Sequence, residues 1–425
     1  MYSEAYKSAF GQLSEYISNI QIVDTHEHLP AEADRLQRTL DFSLMFSHYS
    51  TTDLKTAGMP GSAMGEFLDD STPLDRKWEI FKPFYDLVHD GSYSHAARIA
   101  MKRFYNIDDV EAFADAEALT AAIRSANTEG LYGRVLRDAC GIRTSMNFGG
   151  PGSSDGLLHH VPFVDTYAEA LFSTIRNLED NYGISCSTLR GYETAMHASI
   201  DQMVADGAKG LKFALAYLRD LYFVPVTYAD AERLYNRIGD EGHGWRDAVL
   251  GYEERRPLQD YLVHRICEIA GEAGVPIIIH SAMQTDLFHS AEDARPLRLW
   301  NLPHRHRRTT FIILHSGFPW MEDGAMLAKH FPNVYLDMAW AHVMSPDITA
   351  RALGPWVDLL PVNKVLGFGG DYSVVEKVYG HLVLARRSIV TAFAQKVELG
   401  DLTMARAKVW IQAIMHDNPA RLYKV

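Results

Sequence analysis

From about residue 140 the chain keeps one rhythm: a short apolar, β-branched run, then a helical stretch, again and again. This alternation constrains the fold more than any other feature. Parallel neighbours need a crossover, usually a helix, so the pattern specifies βαβ units. The strands read as 141–147, 158–164, 210–215, 276–280, 310–315, 333–337 and 364–368. An earlier run, 20–28, makes eight. Helices are expected over 193–206, 230–238, 258–273, 324–330 and 349–360, with a helical tail over 376–396 and 402–416. Eight strands mostly separated by helices fit a (β/α)8 TIM barrel better than an open sheet. Pro162 counts against the third strand, because a proline cannot donate to a ladder.

The stretch before this rhythm differs. Residues 3–18 read as an amphipathic helix with Tyr6, Phe10, Leu13 and Ile17 on one face. Residues 30–135 show helical periodicity and little strand character. Trp78, Ile80, Phe81, Phe84 and Tyr85 supply their bulk, and Gly58-Met59-Pro60-Gly61 breaks them. We read 1–425 as one barrel, with 30–135 a helical insertion after the first strand. No repeat or linker divides it.

Charge and cysteine usage exclude several classes of partner. A formal net charge of −13 speaks against nucleic acid and anionic membranes. Cys140, Cys186 and Cys267 are far apart, which fits a reducing compartment, the cytoplasm, with no thiolate metal site. Glu4 and Lys7 lie where a secretory signal would be apolar, and no run reaches membrane-spanning length.

In a barrel the functional side chains gather at the C-terminal strand ends. The first strand ends in His26-Glu27-His28, and alternation puts both histidines on one face. With 19 histidines, roughly one His-x-His is expected by chance, so the spacing alone is weak. A second, His304-Arg305-His306, lies in an arginine-rich stretch unsuited to a metal. The fifth and sixth strands end in His280 and His315, and Asp371 follows the eighth. Lys212 sits within the fourth. Singly, each reads as a core residue, a helix cap or a surface lysine. Together they would converge on one barrel mouth, where buried polar groups need a partner such as a divalent cation.

This set resembles the amidohydrolase superfamily: His-x-His on strand one, histidines on strands five and six, aspartate on strand eight. The runs AKGLKFALAYLR (208–219), FIILHSGFPW (311–320) and KVLGFGGD (364–371), and the ending HDNPARLY (416–423), resemble its amidohydrolase-2 type. Within that type the sequence is similar to the amidohydrolase domain of FluG-type proteins; no synthetase-like domain is expected in this chain.

The resemblance implies that His26, His28 and His280 hold a metal, with Asp371 beside it. Zinc is the first expectation, although manganese or iron tolerate the same ligands. A water held there would have its pKa lowered towards about 7, and Asp371 would shuttle the proton. His315 would join a second ion or polarise the substrate carbonyl. Lys212, if carboxylated, would bridge two ions, so one or two remain open.

Tyr217 and Arg219 are candidates for a substrate carboxylate, and Trp340 and His342 for the pocket wall. The expected activity is hydrolysis of a C–N or ester bond of a small carboxylated molecule. A metal-dependent decarboxylase, a uronate-type isomerase and a non-catalytic binding module are the alternatives. The insertion could cap the mouth or serve a homo-oligomer contact.

Overall fold

The computed structural model describes residues 3–240, 251–283 and 290–425. All eight expected strands are present: β1 Ile22–Glu27, β2 Ile142–Phe148, β3 Leu158–Val161, β4 Leu211–Phe213, β5 Ile277–Ile279, β6 Phe311–Ile313, β7 Val334–Asp337 and β8 Val365–Leu366. Helices separate most of them, and the succession is that of a (β/α)8 barrel. Most strands are shorter than the runs expected for them. The chain divides into two compact units, one of residues 1–158, 337–421 and 425, the other of 159–336 and 422–424.

In the first unit β1 pairs in parallel with β2, Ile22 opposite Ile142 and Asp24 opposite Ser145. Thr25 N–H donates to Phe368 C=O on the other side of β1, and Met338 N–H donates to Leu366 C=O on β8. Between β1 and β2 lie six α-helices, from Glu32–Gln37 to Phe113–Ala126, and no strand. Their core is aromatic: Phe81 lies 4.5 Å from Phe46, 5.2 Å from Phe67 and 5.5 Å from Phe42, ring centre to ring centre. Burying each such ring contributes about 2–3 kcal/mol, enough to hold these helices together around their own apolar centre.

In the second unit β4, β5, β6 and β7 pair in parallel and in register: Leu211, Ile277, Phe311 and Val334 stand in one row. Proline does not disturb the third strand, because β3 stops at Val161. Beyond it Pro162 serves only as an acceptor, its C=O taking the Lys212 N–H at 2.9 Å. Helices Asp165–Glu169 and Phe172–Tyr182 then follow β3; the sequence pattern did not reveal them. No described helix is long and apolar enough to cross a membrane.

Candidate metal centre

Strand alternation does at β1 what its sequence demands. His26 and His28 point the same way, and their Nε2 atoms come within 3.1 Å of each other. Asp371 Oδ1 lies 3.3 Å from both. His28 Nδ1 faces the Phe148 carbonyl at 3.0 Å, which can only accept, so the ring is fixed with its proton on Nδ1. Its Nε2 therefore presents a lone pair to the cluster. His26 stacks on the Phe148 ring at 3.8 Å. Two imidazoles and a carboxylate oxygen, close enough to share one ion, form a donor set that suits zinc and its neighbours. His26 and Asp371 are buried, and His28 keeps 31% of its side-chain surface, leaving an approach from its side.

Asp371 is placed by its backbone. Its φ is +60°, and its N–H donates to His26 C=O at 2.7 Å, while His28 N–H donates to Tyr372 C=O. The two glycines before it are required by close approach. A Cβ on Gly369 would meet Ala339, Thr25 and His26 below 3.0 Å, and one on Gly370 would collide with the Glu27 carboxyl.

Beneath the ligands lies a buried acidic pair. Asp24 Oδ1 accepts from the N–H groups of His26 and Gly370, and its Oδ2 from the Ser145 hydroxyl. Glu27 Oε2 accepts from Tyr372 N–H at 2.9 Å. These two carboxylates thus hold the peptide groups on both sides of the cluster. Burial raises the pKa of both, and the Asp24 charge raises Glu27 further. A neighbouring cation would offset that penalty.

A residue that the sequence reading missed is His48, from the helical insertion. Its φ is +57°, and its ring lies 4.0 Å from Tyr49 and 5.8 Å from Tyr372. Burial and then the Lys377 charge push its pKa down to about 3, while the nearby Asp371 pulls it upward. Its segment is clamped by Lys377, whose Nζ donates to Ser47 C=O and Ser50 Oγ. No spacing signal marks His48; only its backbone conformation brings it here.

Two other first-unit candidates are engaged by the fold. Trp340 donates from Nε1 to the Tyr93 hydroxyl at 2.8 Å. His342 is fully buried, with Nδ1 on Ser388 Oγ and Nε2 on Gly367 C=O. Both ring nitrogens are satisfied within the protein, which accounts for His342 without a ligand.

The second unit assembles the remaining residues. His280, directly after β5, has Nδ1 3.2 Å from Nε2 of His315, directly beyond β6. His280 N–H donates to Phe213 C=O on β4, and the Tyr217 ring lies 4.6 Å from the His280 ring. His315 and Ser316 both have positive φ, 57° and 50°, so the chain turns sharply where the strand ends.

Lys212 is buried, and its ammonium charge lowers the pKa of Asp165, which burial pushes up to about 7. Arg219 corrects an expectation. Its guanidinium is buried and committed to Asp260 at 2.6 Å, Gln259 at 3.1 Å and Tyr222 C=O at 3.0 Å. Those contacts occupy the fork that a substrate carboxylate would need.

The amidohydrolase family model matches residues 191–425, just over half of the chain. Protein fluG of Emericella nidulans is 25% identical over 235 residues, which are 54% of this chain and 27% of that protein. The match therefore spans about a quarter of the relative's length.

Among solved structures, the uronate isomerase of Thermotoga maritima has a TM-score of 0.78 at 16% identity, covering 98% of this chain and 97% of that one. Glucuronate isomerase from Caulobacter crescentus gives 0.77 at 15%, covering 100% and 95%. A Lactobacillus casei protein assigned as a metal-dependent hydrolase gives 0.69 at 18%, covering 97% of each. At these identities the likeness is one of fold.

Proposed function

This chain belongs to the amidohydrolase family, and from that premise we propose that it is a metal-dependent hydrolase cleaving a C–N or ester bond of a small molecule. The observation that carries the proposal is the convergence of His26, His28 and Asp371. The sequence pattern adds His280 as a further ligand and His315 as the group that polarises the substrate carbonyl.

His26, His28 and Asp371 would hold a divalent cation, zinc first, which would supply Lewis acidity there when bound. Asp371 takes a proton from the attacking water and returns it to the leaving group, as a general base and then acid. Asp24 and Glu27 hold the peptide groups around Asp371 so that its carboxylate meets the water in one orientation. Since Arg219 is committed to Asp260, recognition of a substrate carboxylate falls to other groups.

We propose one ion rather than two. Asp165 is partly buried, its Oδ2 has no hydrogen-bond partner among the described residues, and Lys212 supplies the positive charge beside it. Carboxylating Lys212 would replace that charge with a negative one, a costly change at low dielectric. Metal analysis with added zinc and bicarbonate should give one equivalent; two would overturn this part.

The reaction itself is tested by incubating the metal-loaded protein in 18O-water with N-acyl amino acids, lactones and aromatic acids. Label in the product supports hydrolysis, and CO2 released without label would replace it with decarboxylation. His48 favours a second reading, isomerisation of a uronate, because a 1,2-proton shift needs a neutral acid–base group beside the metal ligands. Ketose formation from glucuronate with no 18O uptake would establish that reading instead.

A further inference from the structure

The arginine-rich stretch before β6 has no part in the proposed reaction, yet it walls a cavity of about 390 Å³ in the second unit. One wall is the helix Tyr252–Ala273, which leads into β5 and contributes Arg265, Glu268 and Glu272. The other is the segment that leads into β6, with Arg305, Arg307 and Arg308. The cavity therefore opens at the N-terminal ends of β5 and β6, whereas His280 and His315 follow their C-terminal ends. It is not the place where those histidines would meet a substrate.

Its charge is unusual for this chain. Four arginines line it against Glu268 and Glu272, an excess of two positive charges in a chain of net −13. Arg265 is already committed, to Glu193 at 3.0 Å and to Glu268. The other three are not. Among the described residues Arg307 donates only to His304 C=O, at 3.4 Å, and Arg305 and Arg308 make no ion pair. These three side chains are exposed, and Glu272 offsets only part of their charge, so an anion placed in the cavity gains from the remainder.

The two imidazoles in the lining are hydrogen-bonded and neutral. His264 Nε2 faces Phe223 C=O at 3.2 Å and must carry its proton there, so its Nδ1 accepts from His306 Nε2 at 2.7 Å. Burial pushes both pKa values down to about 4, so at pH 7 the guanidinium groups alone supply the positive charge. Pro225, Val226 and Tyr261 provide an apolar side.

We infer that this cavity binds a phosphate-bearing small molecule. A phosphate dianion matches the excess of two charges, and planar guanidinium forks bind its oxygens in pairs. The volume suits a small ligand with an organic body against the apolar side. A polymer such as nucleic acid is disfavoured by the chain's overall negative charge.

The test is calorimetric titration of inorganic phosphate and pyrophosphate into the metal-loaded full chain, beside Arg305→Ala/Arg308→Ala and His26→Ala. The expected result is saturable binding of pyrophosphate at one site, tighter than phosphate and weakened by salt. It should fall at least tenfold in the double arginine variant and stay unchanged in His26→Ala. Absence of saturable binding, equal affinity in the arginine variant, or loss in His26→Ala would overturn the proposal; the last would locate the anion at the metal ligands. Should the double variant fail to fold, Arg305→Gln asks the same question, with about threefold weaker binding expected and unchanged binding contrary.

Discussion

His26-Glu27-His28 and His304-Arg305-His306 have the same spacing on different backbones. On β1 the alternation of a strand turns both rings to one face, and their Nε2 atoms meet at 3.1 Å beside a carboxylate. His304 lies in the last turn of the helix Asn301–Arg305, and His306 caps it, a separation that does not bring side chains together on a helix. One ring approaches Phe331, the other pairs with His264. The surroundings differ in sign as well. Buried Asp24 and Glu27 underlie the first pair, whereas arginines surround the second. Spacing says where imidazoles lie along the chain; backbone type and neighbouring charge say whether they can share a cation.

The largest difference between the two regions should appear in turnover. Replacing Asp371 with Asn removes the proposed proton carrier and should lower kcat/KM by about 10³-fold, with metal retained on elemental analysis. His304→Ala should leave kcat/KM unchanged. Equal losses in both would erase the contrast.

Next comes stability. Asp24→Ala leaves the N–H groups of His26 and Gly370 and the Ser145 hydroxyl without their acceptor. At about 1–3 kcal/mol for each buried unsatisfied group, a loss of at least about 3 kcal/mol is expected in denaturant melts. Removing the metal with a chelator should lower stability by about 2.7 kcal/mol when free ion had stood at a hundredfold its Kd. The same chelator should not alter the melt of His26→Ala/His28→Ala.

A smaller effect belongs to the second region. His264 and His306 titrate near 4 in the folded chain but near 6.5 when unfolded. Between those values the unfolded state binds more protons, so stability is full above about pH 6.5 and declines towards pH 4. His306→Gln should flatten that part of the pH–melting curve by a few degrees; an unchanged slope would show that the pair is not the cause.

Eight strands were legible because each short β-branched run kept a strand at its centre, although most are shorter than the run. His26 and His28 were legible because strand alternation fixes their direction; Asp371 was legible by its place after the eighth run, while the left-handed backbone that aims it was not. His48 was not, because a left-handed backbone within a helical segment leaves no periodic trace. Arg219 misled, since a guanidinium beyond a strand end looks alike whether it awaits a ligand or is already paired with Asp260, forty-one residues further on. The helices after β3 escaped because they are short and flank a segment of mixed polarity.

The comparison stands or falls on metal content. Purified protein, His26→Ala/His28→Ala and His304→Ala/His306→Ala would be loaded with zinc, desalted and assayed by elemental analysis, with circular dichroism confirming that each is folded. The account predicts one ion per chain in the first and third, and none in the second. Zinc persisting after loss of His26 and His28, or lost with His304 and His306, would contradict it.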